Sequence, residues 1–230
     1  WFEDDKEKKT TAWCTDVRGL LIALGYDPSP ENWRLFIDGA SNSIRVILLS
    51  NISQYSPVLL AVKACDESYT AIKDLLDKIH YASFNWMVIV DLKCASIIAG
   101  LMGGWPGFPC VYCVFPSRNR DVHYSQKVFP ARVPIVGQFS QSSEPLVPIA
   151  NILPPPLHTK LGLFQKLLST MRCPEGDRYL EQLFRGRITK RAILSSSFTG
   201  PQINRLVADK HFISIPQIIH KSFSGIYVHL

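Results

Sequence analysis

A chain of 230 residues is long enough for one sizeable domain, or for one domain carrying an insertion. Its 47% hydrophobic content and 12 phenylalanines exclude an intrinsically disordered segment. A formal charge of +6, from 25 Lys and Arg against 19 Asp and Glu, permits a nucleic-acid partner without demanding one.

The first ten residues are polar and charged and read as a solvated lead-in. A short helix is expected at 16–24, where Val17, Leu20, Leu21 and Leu24 recur at helical spacing and Gly25 is placed to end it. After a turn-rich link at 27–32, three strands follow at 33–38, 44–49 and 57–63, the first closing at Gly39. The links between them are short, so these strands should be antiparallel. Helical periodicity takes over at 68–79, where Tyr69, Ile72, Leu75, Leu76 and Ile79 form one apolar stripe. The segment 86–91 is nearly all apolar and reads as a strand buried on both faces, with a helix at 93–102 behind it.

The expected order is therefore three antiparallel strands, a helix, a strand and a helix. The first helix permits a right-handed return to a parallel neighbour. This is the front half of a ribonuclease-H-like α/β fold with a mixed sheet. A doubly wound nucleotide-binding fold would alternate from the start and offer a Gly-rich phosphate loop, and none follows Asp38 or Asp91. Nor is there a Walker loop or a Gly-x-Ser-x-Gly nucleophile elbow.

On this reading residues 1–32 are lead-in and short helix, 33–103 the core, 104–158 a loop-rich Cys/His insertion, 159–212 a helical region and 213–230 a tail. Residues 94–116 carry no charge, but Gly100, Gly103, Gly104, Pro106, Gly107, Pro109 and Pro116 would break a spanning helix, so no membrane span is expected. The charged opening WFEDDKEKKT does not read as a secretory signal. The six cysteines (Cys14, Cys65, Cys94, Cys110, Cys113 and Cys173) are accordingly expected in a reducing, intracellular setting.

Three constellations could carry chemistry. Asp38 and Asp91 each end an apolar strand, and in the expected fold those strands are neighbours. Two carboxylates side by side repel, and Mg²⁺ or Mn²⁺ relieves the repulsion while activating water for phosphoryl displacement. The plainer reading is that Asp38 opens a turn and Asp91 caps the next helix. Cys110 and Cys113, two residues apart, with His123 and His158 supply the donors of a tetrahedral Zn²⁺ site; the plainer reading is two buried free thiols. Finally, Arg118, Arg120, Lys127 and Arg132 flank the Cys loop, with Tyr112 and Tyr124 interleaved, and Arg185, Arg187, Lys190 and Arg191 form a denser patch. Such clusters can neutralise phosphates, though most are solvated surface.

The segments WRLFIDGA at 33–40, VDLK at 90–93, FPCVYCVFPSRNRDVHY at 108–124, LPPPLHTKLGLFQKLL at 153–168 and FTGPQI at 198–203, in this order, resemble an invertebrate family of mobile-element-derived proteins similar to DDE-type transposases. The likeness runs over about residues 14–212. It implies that Asp38 and Asp91 match the first two acidic positions and that Cys110, Cys113, His123 and His158 match the family's Cys/His positions. It also implies a later acidic residue in a helical region beyond this chain's last residue, Leu230. No glutamate is an evident third ligand; Glu175 and Glu181 lie in the right general direction. The expectation is a transposase-derived, nuclear, DNA-binding protein held by zinc and catalytically incomplete, with a homo-oligomer compatible. An active nuclease completed by a hidden carboxylate or a partner, and a protein-interaction module reusing the fold, are the alternatives.

Overall fold

The computed structural model describes residues 1–5, 10–40, 42–51, 55–104, 106–123, 125–153, 156–170, 174–184 and 198–210. The chain divides into two compact units, Trp1–Pro155 and Pro156–Leu230.

The first unit is mixed α/β, built on a seven-stranded sheet. Its strands are β1 (Phe2–Asp4), β2 (Thr11–Cys14), β3 (Trp33–Ala40), β4 (Ser43–Ser50), β5 (Val58–Lys63), β6 (Met87–Ile89) and β7 (Ile152–Leu153). Their order across the sheet is β1-β2-β5-β4-β3-β6-β7. β3, β4 and β5 are antiparallel neighbours, as their short links require. β6 returns parallel to β3, and β7 parallel to β6.

Alternation along β3 and β4 builds the core. Leu35 and Ile37 pair with Leu48 and Val46 across the ladder, and all four are fully or almost fully buried. Each such burial contributes about 1.5–3 kcal/mol. The intervening residues Arg34, Phe36, Asp38 and Arg45 share the other, more open face, where Arg34 and Arg45 are exposed.

Helix α1 (Val17–Ala23) starts at Asp16, whose carboxylate accepts from the Gly19 amide, and is followed by Gly25 in the left-handed region at φ 73°. Helix α2 (Tyr69–Lys78) is capped by Ser68 and buries Ala71, Ile72, Leu75 and Leu76. The short α3 (Tyr81–Phe84) leads into β6, and α4 (Leu92–Ile98) follows it. β3 runs on through Asp38 and Gly39 to Ala40 instead of closing there. β6 is shorter than the apolar run suggests, because Asp91 already caps the next helix.

The opening is more ordered than a solvated lead-in. β1 pairs with β2, and β2 extends the sheet beyond β5, although β1 itself is exposed.

The second unit carries α5 (Pro156–Thr170), α6 (Pro174–Leu183) and α7 (Gly200–Ala208). Leu168, Leu180, Phe184, Phe198, Ile203 and Leu206 form its core. At the start of α7 the Thr199 amide donates to Gln202 Oε1 at 2.7 Å, part of a reciprocal cap. Among the described residues no helix is long and apolar enough to cross a membrane.

Candidate metal-binding site

The parallel register of β3 and β6 ends with Phe36 opposite Ile89. Asp38 and Asp91 each stand two residues beyond that pair, at the same end of adjacent strands. Asp91 also does structural work. Its Oδ1 accepts from the Cys94 amide at 2.6 Å and so starts α4. The helix-cap reading and the carboxylate-pair reading thus apply to one residue at once.

A third carboxylate reaches the same strand end. Glu67 leaves the β5–α2 link just before the Ser68 cap and lies over Gly39. A Cβ built on Gly39 would stand 1.7 Å from Glu67 Oε1, so this approach requires glycine after Asp38. The Glu67 side chain is only 5% exposed, and its Oε2 accepts from Lys93 Nζ at 2.8 Å. Its Oε1 is buried without a hydrogen-bond partner. No motif in the sequence marks Glu67 as a ligand. The usable signals were an acidic residue immediately before a helix cap and a glycine immediately after Asp38.

The electrostatics of the neighbourhood agree. Burial first, then the negative charges of Glu67, Asp91 and Asp38, push the Cys94 thiol well above its ordinary range. Lys93 is raised by its hydrogen bond to Glu67 and by the charges of Glu67, Asp91 and Asp66. A buried carboxylate oxygen with no donor is costly, and oxygen donors of this kind suit a hard divalent cation. As the side chains stand, with Glu67 turned onto Lys93 and Asp91 on the helix cap, no group of three or more His, Cys, Asp or Glu among the described residues is arranged to hold a metal ion.

The Cys loop lies beside α4. Cys110 and Cys113 lie close together, and the Cys113 pKa is raised, first by burial and then by its interaction with Cys110. His123 stacks on Phe115 with ring centres 4.6 Å apart, and its Nε2 meets the Pro116 carbonyl at 2.7 Å. The structure therefore brings the two cysteines together and engages His123 on its own loop. His158 falls in α5, with its side chain outside the described set.

One basic residue has a different place from the one expected of it. Arg132 is not a surface cation; it is 6% exposed. Its guanidinium donates to the carbonyls of Cys110, Phe139 and Phe108, each at 2.8 Å, and pins the loop from inside. Burial lowers its pKa, against the opposing effect of the two thiols. Arg118, Arg120 and Lys127 are exposed. Arg185, Arg187, Lys190, Arg191 and Tyr124 lie outside the described residues. Between α4 and the loop is a cavity of about 530 Å³, lined by residues including Lys93, Met102, Cys110 and Tyr112. Lys93 thus borders both the cavity and the carboxylates.

Two family models match the chain. One, described as a domain of unknown function (DUF8703), covers residues 1–147; the other, also a domain of unknown function (DUF8704), covers residues 156–224. No curated protein and no solved structure matches it.

Proposed function

The chain belongs to the DUF8703 family, and for this member we propose a ribonuclease-H-like domain, transposase-derived, that binds nucleic acid and cuts it with divalent cations held by Asp38, Glu67 and Asp91. The observation that carries this reading is the buried, unpartnered Glu67 Oε1 over Gly39, at the strand end shared by Asp38 and Asp91. The strand order supports the fold assignment: three antiparallel strands, then a helix and a parallel return next to the first of them. Glu67 is the carboxylate that the sequence alone does not reveal, and it moves the reading from an incomplete site toward a working one.

When bound, Mg²⁺ or Mn²⁺ would supply an activated water and charge for in-line phosphoryl displacement. Asp38, Asp91 and Glu67 are the residues that would hold the cation at their shared strand end. Arg34 and Arg45 stand exposed on the Asp38 face, with Arg45 directly opposite Asp38 in the ladder. They are suited to phosphate contacts, as are Arg118, Arg120, Arg185, Arg187, Lys190 and Arg191. Zn²⁺ on Cys110 and Cys113 is a separate, structural proposal, with His123 offering Nδ1 while Nε2 donates to Pro116.

The test is cleavage of end-labelled duplex DNA, single-stranded DNA and RNA–DNA hybrid by the full chain in Mg²⁺ or Mn²⁺. The expected result is metal-dependent cleavage, lost in Asp38→Asn, and binding that weakens steeply with salt. Cleavage that persists in a folded Asp38→Asn variant overturns the site. Absence of both cleavage and salt-dependent binding overturns the nucleic-acid reading and favours a protein partner.

A further inference from the structure

We propose that Lys93 is a built-in competitor of the divalent cation: its ammonium holds Glu67 in the metal-free chain and must leave before Glu67 can serve as a ligand. The proposal rests on the cation-site reading of Asp38, Glu67 and Asp91. Lys93 is the second residue of α4, two positions after the capping Asp91. A cation in a first helical turn opposes the helix dipole, so its placement asks for a local anion. Glu67 is that anion, with Lys93 Nζ at 2.8 Å from Oε2.

The pair is unequal. The Glu67 side chain is 5% exposed and the Lys93 side chain 70%. Glu67 is buried, whereas Lys93 comes in from solvent on a flexible stem. One ammonium satisfies Oε2 and leaves Oε1 buried without a donor. A divalent cation carries more charge and can engage the oxygen that Lys93 does not. Lys93 recovers hydration when it leaves, and the cation takes over the buried carboxylate that it held. Lys93 is therefore a positioning residue: it occupies Glu67 Oε2 and sets the cation concentration at which the site fills.

The experiment is a calorimetric Mn²⁺ titration of the full chain without nucleic acid. It compares the unmodified protein with Asp38→Asn, Lys93→Met, Lys93→Arg, Glu67→Gln and the Lys93→Met/Glu67→Gln double variant. Lys93→Met should bind Mn²⁺ at least about twofold more tightly, because a pair with one buried partner is worth no less than an exposed one. Lys93→Arg should restore the original affinity. In the Glu67→Gln background Lys93→Met should change nothing, because the coupling runs through Glu67. An unchanged or weaker affinity in a Lys93→Met protein that melts normally overturns the proposal, as does an equal gain in the Glu67→Gln background. Binding that ignores Asp38→Asn, or no binding in any variant, overturns the cation site itself. Asp38-dependent binding with no gain in Lys93→Met overturns only the role of Lys93.

Discussion

Glu67 lies so close over Gly39 that a single Cβ at Gly39 would stand 1.7 Å from its carboxylate oxygen. Gly39→Ala should therefore displace Glu67 from the strand end. That Cβ would also meet Glu67 Cδ at 2.1 Å and Cγ at 2.5 Å, so a buried side chain must move and the variant should lose about 1–3 kcal/mol. Mn²⁺ affinity should fall to that of Glu67→Gln. Paired thermal melts and calorimetric titrations check this; a Gly39→Ala protein with unchanged Mn²⁺ affinity would show that Glu67 is not a ligand.

Asp91 combines a helix cap with a candidate ligand, and two substitutions separate the roles. Asp91→Asn keeps a side-chain oxygen for the Cys94 amide and removes the charge, so stability should hold while Mn²⁺ binding is lost. Asp91→Ala removes both and should cost about 1 kcal/mol in addition. Urea denaturation of the two variants measures the difference. Equal stabilities would mean that the cap contributes little to α4.

Arg132 closes the Cys loop through three carbonyls at 2.8 Å. Arg132→Met strands those acceptors and should destabilise the first unit by about 3 kcal/mol, within the range for buried, charge-assisted hydrogen bonds. It should also raise the rate at which Cys110 and Cys113 react with a thiol reagent. Denaturation and thiol-labelling kinetics give the two readouts; normal values for both would return Arg132 to the role of a replaceable side chain.

The contact between Cys110 and Cys113 predicts a soft-metal response distinct from that of the carboxylates. Titration with Co²⁺, the usual spectroscopic stand-in for zinc, should produce a thiolate charge-transfer absorption. That band should vanish in Cys110→Ser and in Cys113→Ser and survive in Cys14→Ser and Asp38→Asn. A band insensitive to both loop substitutions would remove zinc from the loop.

The core was legible because it obeys simple periods. Leu35, Ile37, Val46 and Leu48 alternate along β3 and β4, and Ile72, Leu75 and Leu76 recur along α2, so burial of each face follows from spacing. The placement of Asp38 beside Asp91 followed from the same strand order. β1 and β2 were not legible, because FED and TAWC are short and their pairing partners are fixed by the sheet rather than by local pattern. Two-residue β7 carries too little sequence to announce itself. Arg132 reads as one more surface cation until the carbonyls of Phe108, Cys110 and Phe139 are seen to converge on it. Glu67 was hidden for a related reason: its meaning comes from Gly39, distant in sequence, and only the β3–β5 arrangement with α2 brings the two together.

Paramagnetic broadening by substoichiometric Mn²⁺, read on backbone amides of the isotopically labelled full chain, locates the cation site without relying on activity. The amides of Ile37 to Ala40, Asp66 to Ser68 and Val90 to Cys94 should broaden first and together, and Asp38→Asn should abolish the effect. Broadening centred on another acidic patch, such as Asp74 and Asp77 on α2, or uniform weak broadening across the surface, would mean that Asp38, Glu67 and Asp91 do not form a metal site.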